Sequence, residues 1–340
     1  MTRRVLVVGS GKRVVEAALP VFERASGLEL AGVLSRTPKT IQSEGRELAV
    51  EGLEALTPAR LSEVDLVYMV VAKGAVPTLL RRLVEADPSR VDLLIETPVL
   101  LVRHLGHRGL LEAFRNAWVS EDCLTLPCFD AVHDHFASGE SGSLRSVTFD
   151  RSAYAYHGIA MTRAVLGGGP IRRASQRRLA GGLRERRIVA ADGRVATIHD
   201  PRDYSLGTMT FEGTSGALSD REVPGAARLE AIVDGGRCIA FRAGDSRRDL
   251  SGAEIELMGE RGEGPGVTAW MDGMKRVGFL KLVAAIGAGG GACPLGDAIE
   301  DSVVDYHLEK LGRYRSTPLT RPDAPLARLA FAALTRLAGR

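Results

Sequence analysis

Lysine is scarce in this chain: six lysines stand against thirty-nine arginines in 340 residues. We read the imbalance as codon bias rather than as a binding surface, because the net charge is only +3. That balance is too small to argue for nucleic acid as a partner. No run of 18 apolar residues occurs, which excludes a hydrophobic membrane-spanning helix and leaves no membrane partner expected. A charged-then-apolar leader is also missing from the N-terminus, so a cytoplasmic location is expected. The four cysteines, Cys123, Cys128, Cys238 and Cys293, are scattered, and Cys123 and Cys128 do not have zinc-pair spacing. Free thiols and no metal set are therefore expected. There is no internal repeat. What remains is an ordinary globular composition, 45% hydrophobic, in a chain long enough for two domains.

The most informative stretch lies near the start. Val5 to Val8 is an apolar run without alternation, as suits a strand buried on both faces. Gly9-Ser10-Gly11-Lys12 follows, and then Val14, Val15, Ala18, Leu19 and Phe22 fall near one helical face. Strand, glycine turn and helix form the context of a dinucleotide site. Gly9 allows the tight turn; Gly11 lets backbone approach a pyrophosphate at the helix N-terminus. The third glycine of the fingerprint would stand at position 14, which is Val14. After the second strand, Leu28 to Leu34, an Asp or Glu would grip the adenosine ribose hydroxyls. Here the chain has Ser35-Arg36-Thr37-Pro38-Lys39 instead. A carboxylate would repel a 2′-phosphate, whereas Arg36 grips one, so NADP(H) is favoured over NAD(H).

Strands and helices alternate through the first half. Ala49 to Leu53 reads as a short strand, Pro58 to Glu63 as a brief helix and Asp65 to Val71 as a buried strand. Pro77 to Ala86 reads as a helix and Asp92 to Ile95 as a strand ending in Glu96-Thr97-Pro98. His104 to Ala117 is expected to be an amphipathic helix, and Cys123 to Leu126 a further strand. Such β-α units predict a doubly wound parallel sheet, with Gly9, Arg36, Ala72, Glu96 and Pro127 at the carboxyl rim where ligands sit.

The N-terminal G-x-G, the strand ending before Ala72-Lys73-Gly74, and above all Glu96-Thr97-Pro98 resemble the Gfo/Idh/MocA oxidoreductase family. Its name comes from glucose–fructose oxidoreductase, inositol dehydrogenase and a rhizopine catabolism protein. The resemblance implies an N-terminal Rossmann domain, then an α+β domain with a large, mostly antiparallel open sheet. The boundaries expected are 1–127 and 128–340, with C-terminal helices returning to the first domain. In the family the corresponding motif is Glu-Lys-Pro; its lysine helps catalysis and its proline is usually cis. This chain has Thr97 in place of that lysine. Tyr154 to Gly167 is similar to a family helix carrying a catalytic histidine, and His157 falls on it. The aspartates that often flank that histidine are Ala153 and Ala160 here.

In the second half, alternating runs argue for a large sheet: Leu144 to Phe149, Ala174 to Leu179, Tyr204 to Phe211, Gly216 to Ser219, Leu229 to Val233, Cys238 to Arg242 and Glu254 to Met258. Its exposed face implies a homodimer or homotetramer, by analogy with the family. Helices follow at Gly273 to Ala288, Pro294 to Leu311 and Pro325 to Ala338, with a glycine break from Gly287 to Gly291.

Hydride transfer needs a partner for the accompanying proton. A threonine hydroxyl titrates far from neutrality, so Thr97 orients or relays only. His157 remains, with Tyr156 or Tyr154 as fallback donors. Asp130, His133, Asp134 and His135 form a cluster without metal-ligand spacing. A reduction of an imine, ketone or activated double bond in a small polar metabolite needs the least proton machinery. The alternatives are a sugar or cyclitol dehydrogenase using His157 or a tyrosine as base, and a non-catalytic cofactor-binding sensor.

Overall fold

The structure is a computed structural model and describes residues 2–290 and 293–338. Gly291, the last residue of the expected glycine break, lies outside them. The chain divides into two compact units. One comprises Met1–Glu121, Phe279–Ser302 and Pro318–Arg340, the other Asp122–Gly278 and Val303–Thr317.

The first unit is built on β1 (Arg3–Val8), β2 (Leu28–Ser35), β3 (Lys39–Ser43), β4 (Arg46–Gly52), β5 (Leu66–Met69), β6 (Asp92–Glu96) and β7 (Asn116–Ser120). Across the sheet the order is Cys293–Pro294, β7, β6, β5, β1, β2, β4, β3. Every neighbouring pair is parallel except the two at the edges, β3 on β4 and Cys293–Pro294 on β7. Val5 to Val8 of β1 and Leu66 to Met69 of β5 are fully buried, the two-sided cover that their unbroken apolar runs call for. The chain leaves β1 to β2 on one side and reaches β5 on the other, so a crevice opens where the order reverses.

Three expectations are corrected, the last of them at the start of the second unit, and one is extended. The helix after Gly11 is not uniform, for Val14–Ala18 is a π-helical turn that runs into α1 (Leu19–Arg24). The strand expected at Ala49 to Leu53 is present within β4, and it forms a hairpin with β3, whose buried positions Ile41 and Ser43 are too sparse to show as a run. The segment His104 to Ala117 is a 3-10 stretch, Val102–Ala113, followed by β7. Gly106 explains part of this: its N–H donates to Thr335 Oγ1 at 2.9 Å, where the C-terminal helix Pro325–Ala338 packs on it. A Cβ there would lie 2.7 Å from that oxygen. Likewise Cys123 to Leu126 is not a strand, because β7 already fills that place beside β6; Asp122–Leu124 is a single 3-10 turn. The short helix α2 (Pro58–Ser62), capped by Thr57, and α3 (Val76–Glu85) lie where expected.

The second unit carries α4 (Pro127–Ser138), β8 (Leu144–Asp150), α5 (Ala155–Leu166), β9 (Ile171–Arg178), β10 (Arg184–Ala190), β11 (Val195–Asp200), β12 (Thr208–Gly213), β13 (Ala217–Ser219), β14 (Ala226–Asp234), β15 (Arg237–Ala243), β16 (Ser246–Asp249) and α6 (Gly252–Met258). The sheet order is β16, β15, β14, β13, β12, β8, β11, β10, β9, with Arg313–Arg315 beside β9. Only β8 with β11 and β13 with β14 are parallel. The large, mostly antiparallel sheet is thus present, with strands that the pattern concealed: β10, β11, β16 and Arg313–Arg315.

β10 is one of them, and a charge hides it. Arg186 is 1% exposed, with Nε 2.9 Å from Asp200 Oδ2, Nη1 2.5 Å from Asp305 Oδ1 and Nη2 on Glu309. An arginine at an inward position breaks the apolar alternation that announces a strand. Glu254 to Met258 is helix, not strand. Glu254 N–H donates to Ser251 Oγ and Ser251 N–H to Glu254 Oε2, a complete capping box. The long helix α7 (Met271–Gly287) ends close to its expected limit.

Candidate active site

In the first unit, backbone geometry at the crevice makes a cradle. Gly9 has φ +136°, and a Cβ on it would fall 1.9 Å from the carbonyl oxygen of Val70. Only glycine lets the end of β1 pass so close to the end of β5. Its N–H donates to Leu34 O at 2.8 Å, while Val70 N–H donates to Val8 O at 2.8 Å. A Cβ on Gly11 would meet nothing within 4 Å, so the backbone there faces open space. Val14, at the place of the third glycine, is fully buried and does not line that space. The π turn that starts at Val14 widens the helix where it carries this larger side chain.

A cavity of about 850 Å³ opens from this cradle. Gly9, Ser10, Gly11, Lys12, Ser35, Arg36, Lys39, Ala72, Glu96 and Thr97, all named from sequence, line it together. Lys39 Nζ donates to Ser10 O at 3.3 Å, and Ser35 Oγ to Thr37 O at 2.7 Å. Among the lining residues not singled out from sequence are Arg13, Lys73, Thr78 and Arg82. Six lining residues are cationic, namely Lys12, Arg13, Arg36, Lys39, Lys73 and Arg82, and Glu96 is the lining carboxylate. Such an excess in a concave site concentrates positive potential and draws anions.

Glu96 is held from several directions. Its Oε1 accepts from Arg13 Nε at 3.0 Å, from Ser120 Oγ at 2.8 Å and from the Tyr68 hydroxyl. Arg13 in turn lies 5.2 Å over the Phe279 ring. Burial, and then the Glu96 charge, drive the Tyr68 phenol well above its ordinary pKa, so it stays a donor. Lys73 Nζ donates to the backbone oxygen of Glu96 at 2.7 Å. Thr97 is 8% exposed, and the Thr97–Pro98 peptide is cis.

The second unit holds the other candidates. The His157 ring centroid is 5.0 Å from that of Tyr154 and 4.2 Å from that of Tyr156. Adjacent helical positions diverge, so only one of these was expected beside His157. Both reach it because Tyr154 is extended and Ala155 has φ +48°, which bends the chain into α5. Ala153 and Ala160, where carboxylates were missing, are buried. The Cys123 sulfur lies within 4.8 Å of a His157 ring nitrogen.

Three further groups in this unit were not foreseen. Lys275 Nζ donates to the Tyr204 hydroxyl at 2.8 Å, and the Arg202 guanidinium lies 4.2 Å over Tyr154 and 5.4 Å over Tyr204. Burial raises the Tyr204 phenol, with Lys275 and Arg202 pulling against it. Burial disfavours the Lys275 ammonium, but Cys123, Tyr204 and Asp122 outweigh it and hold its pKa above the usual value. By contrast the Asp130-to-His135 cluster does not converge. His135 is buried on Ser141 and Glu140, Asp130 faces Arg248, and His133 and Asp134 are exposed. None of the four cysteines forms a disulfide, and all four are buried.

No family model matches this sequence, and no curated protein matches it. Solved structures do. The scyllo-inositol dehydrogenase of Lactobacillus casei, with bound NAD(H) and scyllo-inositol, is 12% identical with a TM-score of 0.63, over 93% of this chain and 99% of that one. The aldose-aldose oxidoreductase of Caulobacter crescentus, complexed with glycerol, is 12% identical with a TM-score of 0.62, over 93% of this chain and 100% of that one. A myo-inositol dehydrogenase of Corynebacterium glutamicum is 15% identical with a TM-score of 0.60, over 94% of this chain and 100% of that one. At such identities the likeness establishes the fold: a parallel-dominated sheet followed by a large, mostly antiparallel one. Among the described residues no helix is long and apolar enough to cross a membrane.

Proposed function

We propose that this chain, which has the fold of the Gfo/Idh/MocA oxidoreductases, is an NADP(H)-dependent reductase of a small polar metabolite. One observation carries the reading: the Gly9 bend, which no side chain could occupy, opens into a cavity lined by six cations and one carboxylate. The residues fit a dinucleotide. Backbone at Gly9 to Gly11, with the helix that follows, suits a pyrophosphate. Arg36 and Lys39, with no acid among the described residues lining that end, suit a 2′-phosphate. Once bound, the nicotinamide supplies or takes the hydride. The chain's own work is to hold it, keep water out and handle the proton. Thr97 can orient a substrate but cannot titrate near neutrality. His157 and Tyr156, with Tyr154 alongside, are the proton-handling candidates in the second unit.

A polyol substrate is the second reading, with His157 or a tyrosine as base. It is favoured by the scyllo-inositol dehydrogenase among the structures of like fold. Two copies pairing through the exposed face of the second sheet would match folds of this kind. A light-scattering mass of one chain would count against that pairing.

The cofactor reading is tested by thermal shift with NADPH, NADH and their oxidised forms. A ligand at 100 times its Kd stabilises by about 2.7 kcal/mol. The expected result is a large shift with NADPH or NADP⁺ and little with NADH or NAD⁺. No shift from any of them overturns the proposal; equal shifts remove the role given to Arg36. Turnover of NADP⁺ with scyllo-inositol, and none in the reductive direction, would favour the polyol reading.

A further inference from the structure

Thr97 leaves the residue after the Glu96 carbonyl without a titratable side chain, yet a titratable group meets that carbonyl. Lys73 begins the 3-10 turn Lys73–Ala75 after β5 and lines the cavity. Its Nζ donates to Glu96 O at 2.7 Å, and Glu96 is bonded directly to Thr97. The bond matters because of what it is not. Arg13, Ser120 and Tyr68 all occupy the Glu96 carboxylate oxygen Oε1, and Lys73 takes the neutral backbone carbonyl instead. An ammonium paired with a carboxylate keeps its proton; one bonded to a carbonyl in a half-buried site holds it less firmly. Burial lowers Lys73 to about 8, with Glu96 pulling the other way. Arginine, thirty-nine times used in this chain, could make the same hydrogen bond but would never release a proton. Lysine is used only six times, and one of those is here.

We propose that Lys73 carries the proton that Thr97 cannot, acting as the acid–base group at the nicotinamide end of the cavity. This rests on the cofactor reading above. In reduction, a bound dihydronicotinamide would supply the hydride to the carbon of a C=O or C=N group and be left as the oxidised, cationic nicotinamide. The π electrons pass to oxygen or nitrogen. An N–H bond of the Lys73 ammonium breaks to protonate that atom, and the neutral amine regains its proton from water. In oxidation the neutral amine takes the hydroxyl proton.

The test uses the full chain and needs no substrate. Reductive methylation with ¹³C-formaldehyde gives one dimethyl-lysine signal for each of six lysines, and Lys73→Arg assigns the signal of interest. The expected titration midpoint for Lys73 is near 8, about two pH units below the ordinary lysine value. NADPH is expected to move this signal, whereas 2′-phospho-ADP-ribose, which lacks the nicotinamide, leaves it nearly in place. A midpoint above 10, or equal responses to both ligands, overturns the proposal. Thermal shifts with NADPH are run beside it on wild type, Lys73→Arg and Lys73→Met. If even wild type does not shift, the cofactor reading has failed. If wild type shifts but Lys73 titrates as an ordinary lysine, only the proton assignment has failed.

Discussion

The candidate groups of the first unit and those of the second are built in different ways. The cradle in the first unit is made of backbone and depends on what is missing: a Cβ at Gly9, a carboxylate after β2. The cluster in the second unit is made of side chains, Tyr154, His157, Arg202, Tyr204 and Lys275, drawn from residues more than a hundred apart in sequence. A backbone site needs a few glycines in a row, and it tolerates little change. A side-chain site needs partners whose charges balance, and it degrades by degrees.

That contrast sets an order of effects. The largest is expected for Gly9→Ala, where a new Cβ meets backbone oxygen at 1.9 Å in a fully packed strand end. Denaturant unfolding should show a loss of more than about 3 kcal/mol, or no folded protein. Gly11→Ala, with open space around it, should unfold like wild type. Similar stabilities for both variants would break the account of the cradle.

Next is the burial of charge in the second unit. Asp220 is 1% exposed, accepts from Met209 N–H at 2.9 Å, and is raised by burial to about 6. Its folded pKa lies above its unfolded value, so its contribution is most favourable below about 4 and is lost as pH rises through 6. The stability of wild type relative to Asp220→Asn should therefore fall by something on the order of 2–3 kcal/mol between pH 4 and 7. A pH-independent difference would show that Asp220 ionises freely in the folded chain.

Tyr204→Phe should follow, since it strips the half-buried Lys275 ammonium of its phenol acceptor. About 1–3 kcal/mol is expected, with Lys275→Met and the double variant completing a cycle that isolates the pair. Additive effects would mean that the two do not interact. The smallest effect is expected at the cap of α6. Ser251→Ala should cost about 1 kcal/mol by removing an acceptor for Glu254 N–H. No loss would mean that the capping box contributes little beyond what water supplies.

How much of this could be read beforehand follows the same divide. Glu96-Thr97-Pro98 and the glycine turn were visible because each is contiguous. Lys73 was in plain view beside Ala72, but the scarcity of lysine was read as codon bias and nothing local singled it out. Tyr204 and Lys275 carried no local mark. α6 was missed because Glu254 to Met258 alternates like a strand, while the Ser251-x-x-Glu254 signature just before it went unread. β10 was invisible for the opposite reason, since Arg186 put a charge where a hydrophobic residue announces a strand.

The amino-acid order alone determined the buried parallel strands, the Gly9 bend and the absence of a carboxylate after β2. Each depends on residues within one turn or one strand, where sterics and hydrophobic period act over a few bonds. Only the folded chain decided which ammonium meets which oxygen. Lys73 reaches the carbonyl of Glu96, and Arg186 finds three carboxylates, because sheet packing brings distant segments within 3 Å. Desolvation there then sets the protonation of each group, and no spacing along the chain encodes that environment.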